Sequence, residues 1–566
     1  MKIIKRNQGK RKNSKRLLRM IKKQAQGITL IALVVTVIVL LILAGVAINL
    51  TIGDNGMFKR AQNAADTYQE ASEREAIELA VAGMQIGSTQ GNDMTKTELE
   101  NSLEDQFGDD ASVEDNEDGS FLVTIGENQY YLGENGEIID SSNMVKISTA
   151  DELKAFRDDV NSGNTYEGKY VYLANDITLD INEEWEPIGL YLNENTSPDD
   201  ETNIPFSGIF DGKGHEVEGI YINTPNKVQG LFGLISNGKI LNLGIGENCN
   251  INGGNATAGV LGYAYNNSVI NNCSNKANIN GLYVGGVVGC AYVSTKIMDC
   301  YNEGNIQGTN SFAGGVAGYV AQDSSIKESY NLGEVNGIDR VGGVVGTLIL
   351  NSIMESCHNN GNINGGDMAG GIVGFSGEKS NLTQNYNTGN VNGEYYVGGV
   401  SGVSNAIVEQ CYNTGYIEAS GQNESGNSNV GGIIGLNEGT AEECYNTGTV
   451  RTVYENIGGL IGLNRGTLKN SYNAGIIDGE VIAKGGIVGY NNKLSQDRVL
   501  EGKVYNTYSL EGVTMKLYGV NDSTISEECS FKSSSELKEM HSILGNAFEN
   551  DKNNKNNGYP IFKWQI

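Results

Sequence analysis

Val284-Gly285-Gly286-Val287-Val288-Gly289, followed by Cys300-Tyr301-Asn302 and Gly304, is one copy of a pattern that governs the middle of this 566-residue chain. A small-Gly-aliphatic-aliphatic-Gly motif returns with its second-position glycine at Gly259, Gly286, Gly315, Gly343, Gly371, Gly399, Gly432, Gly459 and Gly486, at intervals of 27 to 33 residues. A diverged copy, Gly230-Leu231-Phe232-Gly233, lies 29 residues before the first. A second motif keeps the same period: Cys300-Tyr301-Asn302, Ser329-Tyr330-Asn331, Cys357-His358-Asn359, Asn385-Tyr386-Asn387, Cys411-Tyr412-Asn413, Cys444-Tyr445-Asn446 and Ser471-Tyr472-Asn473, each asparagine with a glycine two residues on. Two motifs in step define a repeat array. Propeller blades run to about 40 residues, and leucine-rich repeats need a leucine framework. Short β-branched runs separated by Gly and Asn read instead as strands and corners. The fold class that follows is mainly β, a parallel β-helix (β-solenoid) of about 28-residue coils. Adjacent coils about 4.8 Å apart give the stretch from Gly259 to Gly486 a length of roughly 38 Å. The Gly-Gly pairs are expected at corners that need positive φ or a close approach to the next coil. The Asn-x-Gly turns are expected to form an asparagine ladder.

Before the repeats, residues 143–229 read as a cap, with a helix over residues 150–160 and short strands at residues 170–173, 188–190 and 206–210. The stretch from Phe206-Ser207-Gly208 to His215 resembles the opening coils of bacterial right-handed β-helices, which implies that hand here. The units of residues 230–500 resemble the GLUG repeat of bacterial surface proteins, found in the outer region of some IgA-specific proteases. Residues 501–566 read as degenerate coils, a short capping helix at residues 535–544, and a tail whose Asn557 to Trp564 looks like the closing segment of such solenoids. Tyr559, Phe562 and Trp564 are expected to plug the last coil.

The N-terminus carries a different signal. Residues 1–27 hold 11 Lys or Arg and no acid, and residues 28–50 form an apolar run. As a helix at about 1.5 Å per residue that run spans roughly 34 Å, enough to cross a bilayer, with the basic flank held in the cytoplasm. Gly27-Ile28-Thr29-Leu30-Ile31-Ala32 resembles the processing site of type IV prepilins and pseudopilins. The resemblance implies cleavage after Gly27 by a prepilin peptidase and N-methylation of Ile28. Ile28 stands where that family usually carries an aromatic residue, and Ala32 where it carries a glutamate that pairs with a neighbouring subunit. The absent carboxylate favours a minor or tip subunit, or a simple membrane-anchored protein. A plain signal anchor or a cleaved secretory signal is the bland reading. Residues 28–85 then form a membrane and pilin-like helix, with Ala61, Ala64, Tyr68 and Ala71 sharing one face, and residues 86–142 an acidic spacer or small pilin-like strands.

Charge and composition narrow the function. The net charge is -28, and beyond the basic leader 29 basic residues face 68 acidic ones. Such a body repels nucleic acid, which is excluded as a partner. The three histidines, His215, His358 and His541, lie far apart, and Gly219 stands where the second histidine of a His-Glu-x-x-His zinc motif would be. The clustered carboxylates and basic residue of a polysaccharide lyase have no common register here, and an acidic rod repels an acidic substrate. The expectation is therefore no enzyme, no metal and no cofactor. Cys273, Cys300, Cys357, Cys411 and Cys444 share one register and read as small inward-facing residues. What remains is a single-pass cell-membrane protein anchored through residues 28–50, its C-terminal region extracellular. It displays a rod that binds a glycan or protein ligand through tyrosines such as Tyr395 and Tyr396, with in-register Tyr301 stacking between coils. The alternative is a pilus or pseudopilus subunit with pilins as partners.

Overall fold

The computed structural model describes residues 57–566 except 88–94, 116–119, 134–136, 194–196, 225–226, 421–427, 495–499 and 524–525. The bilayer-crossing run at residues 28–50 and the Gly27–Ile28 processing site lie outside the described residues. Among those described, no helix is long and apolar enough to cross a membrane. The chain divides into two units, ending and starting at Asp140 and Ser141.

In the first unit, α1 (Met57–Gly87) and α2 (Lys96–Phe107) accompany an antiparallel sheet of β1 (Ala111–Asp115), β2 (Phe121–Ile125), β3 (Asn128–Leu132) and β4 (Ile138–Asp140). Thr95 caps α2 by accepting from the Glu98 amide, and Gly108, at φ +61°, ends it. Gly126, at φ +60°, turns β2 into β3, whose alternating apolar residues meet in register from Phe121 opposite Leu132 to Ile125 opposite Asn128. Ile77, Ala80 and Val81 of α1 pack on Leu99, Leu103, Val123 and Tyr130. The α1 face read from Tyr68 and Ala71 is not the packed one: Tyr68 is 79% exposed, and the buried residues 73, 76, 77, 80 and 81 lie on the other side of the helix. Buried Glu73 is satisfied by Gln69 Nε2 at 2.8 Å, Asn128 Nδ2 at 2.8 Å and the Tyr130 hydroxyl at 2.7 Å.

The second unit is a parallel β-solenoid. A strand at Met144–Ile147 heads one of its ladders and is followed by α3 (Ala150–Asn161), started by a reciprocal capping box between Thr149 and Glu152. Leu153, Phe156 and Val160 of α3 are buried, Phe156 lying 5.8 Å from both Phe206 and Phe210, so the helix covers the first apolar layer. Beyond it, strands stack into parallel ladders of 11, 14, 13 and 17 strands, which share a coil of about 28 residues. One coil runs through Val345–Leu348, Ile353–Glu355, His358–Asn359, Ile363–Asn364 and Met368–Gly370. Each of these strands pairs with its counterpart in the next coil, Val345 with Val373, His358 with Tyr386 and Met368 with Tyr396. The interior is a stack of single apolar residues: Ile270, Ile297, Ile326, Met354, Leu382 and Val408 sit one above another, none of them solvent-accessible. Burial of each contributes about 1.5–3 kcal/mol.

The two sequence motifs meet in space. Asn275, Asn302, Asn331, Asn359, Asn387, Asn413, Asn446 and Asn473 form a buried column in which each Nδ2 donates to the Oδ1 of the next coil's asparagine at 2.8–2.9 Å. The same Nδ2 donates to the carbonyl two residues on, as Asn359 does to Gly361 at 2.9 Å. The glycines enclose this column. A Cβ on Gly343 would overlap the Gly371 carbonyl oxygen and the Asn359 amide, and one on Gly361 would overlap the Gly333 carbonyl and meet Asn331 Nδ2 at 2.7 Å. Equivalent overlaps with the same-coil amide occur at Gly259, Gly286, Gly315, Gly371, Gly399, Gly432 and Gly459; in the last coil the Gly486 Cβ would meet Ser509.

Positive φ is not what these glycines provide. The chain turns left-handed just before each of the seven motifs, at Asp299 (φ +52°), Glu328 (+49°), Ser356 (+56°), Gln384 (+60°), Gln410 (+53°), Glu443 (+51°) and Asn470 (+52°), and at a second corner of several coils, as at Gln322-Asp323 and Leu350-Asn351. The strain of these corners is offset by polar links between coils, such as Gln410 Nε2 to Glu443 Oε2 at 3.2 Å.

Asn359 makes four side-chain hydrogen bonds, two given and two received. Asn359→Ala is expected to destabilise the solenoid by about 3 kcal/mol, while exposed Asn360→Ala changes stability by about 0.5 kcal/mol or less. Urea unfolding of both variants checks this, and equal losses would refute the column's role.

Candidate functional site

Two aromatic columns run along the solenoid, and their ring geometry sets them apart. The first follows the repeat: Tyr301, Tyr330, His358, Tyr386, Tyr412, Tyr445 and Tyr472 stack at 4.8–5.2 Å with interplanar angles of 1–9°. Each interior ring has both faces covered by its neighbours, so the column stabilises the rod and presents only edges. His358 fills a tyrosine's place in it.

The C-terminal segment packs against this column's flank. Phe562 lies 5.1 Å from Tyr445, and Trp564 lies 5.9 Å from Tyr412 and 6.3 Å from Tyr386. The Tyr472 hydroxyl donates to the Pro560 carbonyl. The tail thus does not plug the last coil: its aromatic residues find a larger apolar partner in the tyrosine edges beside it, with half-buried Tyr559 at the edge of the same cluster, where it meets Ser534 and Lys538.

The second column lies on the outer face beside the Gly-Gly corners. It draws on residues four after the repeat glycine, Tyr263, Cys290, Tyr319 and Phe375, and three before it, Tyr283, Phe312, Arg340 and Tyr396. Small Cys290 leaves room for Tyr292, whose ring stacks at 5.2 Å on both Tyr263 and Tyr319. Around this stack the rings tilt: Tyr191 meets Tyr263 at 73°, and Tyr283 meets Phe312 at 48°. The Arg340 guanidinium lies 4.7 Å from the Phe312 ring centre and 4.9 Å from that of Phe375, held between the two. Asp339 Oδ2 is 3.8 Å from Arg340 Nε. Met368, Phe375, Tyr396 and Tyr490 continue the strip over buried Val403, Leu436 and Leu463. Burial, with the neighbouring Cys290 thiol and hydroxyls, holds the phenols of Tyr263 and Tyr292 above their ordinary value, so they stay neutral donors.

Of the tyrosines named from sequence, Tyr396 joins the strip, Tyr301 belongs to the stacked column, and Tyr395 is half-buried next to the strip. Tyr263, Tyr283, Tyr292, Phe312, Tyr319, Arg340 and Phe375 were not singled out, although counting from the repeat glycine places all but Tyr292 in two registers.

Other chemistry-bearing groups are accounted for within the fold. Cys273, Cys300, Cys357, Cys411 and Cys444 are fully buried, and burial pushes the Cys357 and Cys411 thiols up to about 12. Thiols so placed are poor nucleophiles. His215 Nδ1 sits 3.0 Å from Asp176 Oδ1. Among the described residues no group of three or more His, Cys, Asp or Glu could hold a metal ion.

A family model for the GLUG motif matches residues 280–307 and 426–451, so the coils carry GLUG motifs. No curated protein matches the sequence. Among solved structures the chain is similar to a proposed immunoglobulin A1 protease from Bacteroides ovatus, at 18% identity over 75% of this chain and 93% of that one, with a TM-score of 0.28. It is also similar to an IgA1 protease, at 14% identity over 71% of this chain and 25% of that one, with a TM-score of 0.26. This chain therefore spans a quarter of the second protein's length. The expectation that the chain is not an enzyme is corrected: structures named for a protease stand among those similar to it, so the exclusion drawn from its histidines and carboxylates is withdrawn. At these identities and TM-scores the likeness transfers no activity.

Burial holds the His358 imidazole below its ordinary value. The folded state therefore favours the neutral ring, and as pH falls the unfolded chain takes up the proton first. Stability contributed here is complete above the ordinary histidine value and is lost as pH falls through and below it. His358→Tyr, which restores the column's usual ring, is expected to lose less thermal stability than the parent between about pH 7.5 and pH 5. Identical losses would show that the buried imidazole does not couple to folding.

Proposed function

We propose that this protein is a membrane-anchored surface protein of a bacterium that binds a glycan or protein ligand on the aromatic strip of its solenoid. The observation that carries this reading is the strip itself: tilted, half-buried rings around a clamped arginine, on the outside of an acidic body. An outer apolar strip with aromatic and Arg anchors has the composition of recognition surfaces. GLUG motifs support a surface setting, by the resemblance drawn from sequence. Residues 28–50 provide the bilayer anchor in this reading, and the region beyond them is extracellular. The test is a binding screen of the full-length protein in detergent micelles against glycans and extracellular matrix proteins. Tyr319→Ala and Arg340→Ala are each expected to weaken a captured ligand by about tenfold or more. No ligand, or one indifferent to both variants, would overturn the strip as the binding surface.

A second reading is favoured by one feature, the match of Gly27 to Ile31 to a prepilin processing site. It makes the chain a minor or tip subunit of a type IV pilus or pseudopilus, with a prepilin peptidase and pilins as partners. Mass spectrometry of the N-terminal peptide separates the two. A methylated terminus at Ile28 is the outcome for the pilus reading, and an intact leader retained in the membrane is the outcome for a simple anchor.

A further inference from the structure

The aromatic strip ends on its N-terminal side beside a cleft of about 720 Å³. Tyr191 and Val228 belong to both, so the two surfaces are continuous. Leu192, 58% exposed, extends the apolar wall, and Glu184, Glu186 and Lys227 stand on the rim. Glu184 is fixed there by accepting from the Asn223 amide at 3.2 Å and the Thr224 hydroxyl at 2.6 Å. Gln229 lines the same cleft and is 3% exposed, and its side-chain carbonyl Oε1 is buried without a hydrogen-bond partner.

Resting on the ligand-binding reading of the strip, we propose that this cleft receives the end of a neutral, hydroxyl-rich glycan whose chain continues along the aromatic strip. Tyr191, Leu192 and Val228 suit the C–H face of a pyranose, while the two carboxylates and the carbonyl of Gln229 accept and Lys227 with the amides of Asn193 and Asn255 can donate. A buried acceptor without a partner keeps its full desolvation cost until a donor reaches it, and sugar hydroxyls are donors. A carboxylated sugar would instead face Glu184 and Glu186 with Lys227 as the rim's counter-charge, on a chain of net charge -28. The lining as a whole is more polar than apolar, which suits a hydroxyl-rich ligand better than an apolar one.

The experiment is isothermal titration of the full-length protein in detergent micelles with neutral β-linked hexasaccharides of glucose, xylose and galactose, and with hexagalacturonate as the anionic probe. Binding of at least one neutral probe is expected, weakened about tenfold or more by Tyr191→Ala and by Gln229→Leu. Glu186→Gln, at an exposed position that leaves packing unchanged, is expected to weaken it about threefold. Hexagalacturonate is expected to bind about tenfold more weakly than the neutral probe. Neutral binding unchanged in Tyr191→Ala and Glu186→Gln would overturn the cleft; if Tyr319→Ala still abolished that binding, the reading of the strip would stand without it. Hexagalacturonate binding as tightly as the neutral probe would overturn the ligand class. Binding of none of the probes would overturn the proposal, while a protein ligand sensitive to Tyr319→Ala would leave the strip as a recognition surface.

Discussion

The structure hangs on a buried amide. Each asparagine of the column must give and receive hydrogen bonds both along its own turn and between coils, because an unpaired amide in a dry interior costs more than its bonds contribute. That requirement sets the register of the whole solenoid, since a slip of one residue would turn every amide away from its partner. It also dictates the glycines, because the backbone carbonyls and amides that surround the column leave no volume for a Cβ. Length is free elsewhere. The longest interval, from Gly399 to Gly432, keeps register on either side, with Ile417 beside Val391 and Val430 beside Val397.

This is why the fold was legible in sequence. The period, the parallel coils and the asparagine column follow from residue types that recur because each coil solves the same packing problem. The reason for the glycines was legible only in part, since close approach and left-handed backbone both call for glycine. Asp299, Gln384 and their equivalents take the left-handed corners, where polar side chains link successive coils. The tail was misplaced for a similar reason. An aromatic segment after the last coil suits any apolar surface, and nothing in Phe562 or Trp564 distinguishes the open end of a stack from the tyrosine edges along its side. On α1, Tyr68 gives the wrong stripe because the core is set by the sheet and α2, whose Leu99 and Val123 meet Ile77 and Val81.

The candidate site was nearly illegible, and its register explains why. The position four after the repeat glycine holds Tyr263, Cys290, Tyr319, Thr347, Phe375, Val403, Leu436, Leu463 and Tyr490 in turn. A search for what repeats passes over a column whose members differ. The cleft is further from sequence still, because Tyr191, Val228 and Gln229 come from the irregular cap and the first diverged coil, where no period relates them.

Uniformity and irregularity therefore divide the labour between the two aromatic columns. Where every coil supplies the same ring, the ring centroids lie 4.8–5.2 Å apart, close to the roughly 4.8 Å between neighbouring strands, and their faces are used up in holding coil to coil. Where ring and small residue alternate, as at Tyr263, Cys290 and Tyr319, the stack cannot close in one register. Tyr292 enters from the next position, Arg340 is caught between Phe312 and Phe375, and neighbouring rings tilt. The stabilising column is cohesive because it is repetitive, and the strip leaves ring surface uncovered because it is not. In the proposed reading a ligand is therefore met where the repeat breaks its own rule, in the diverged coils near the cap and the column beside the Gly-Gly corners.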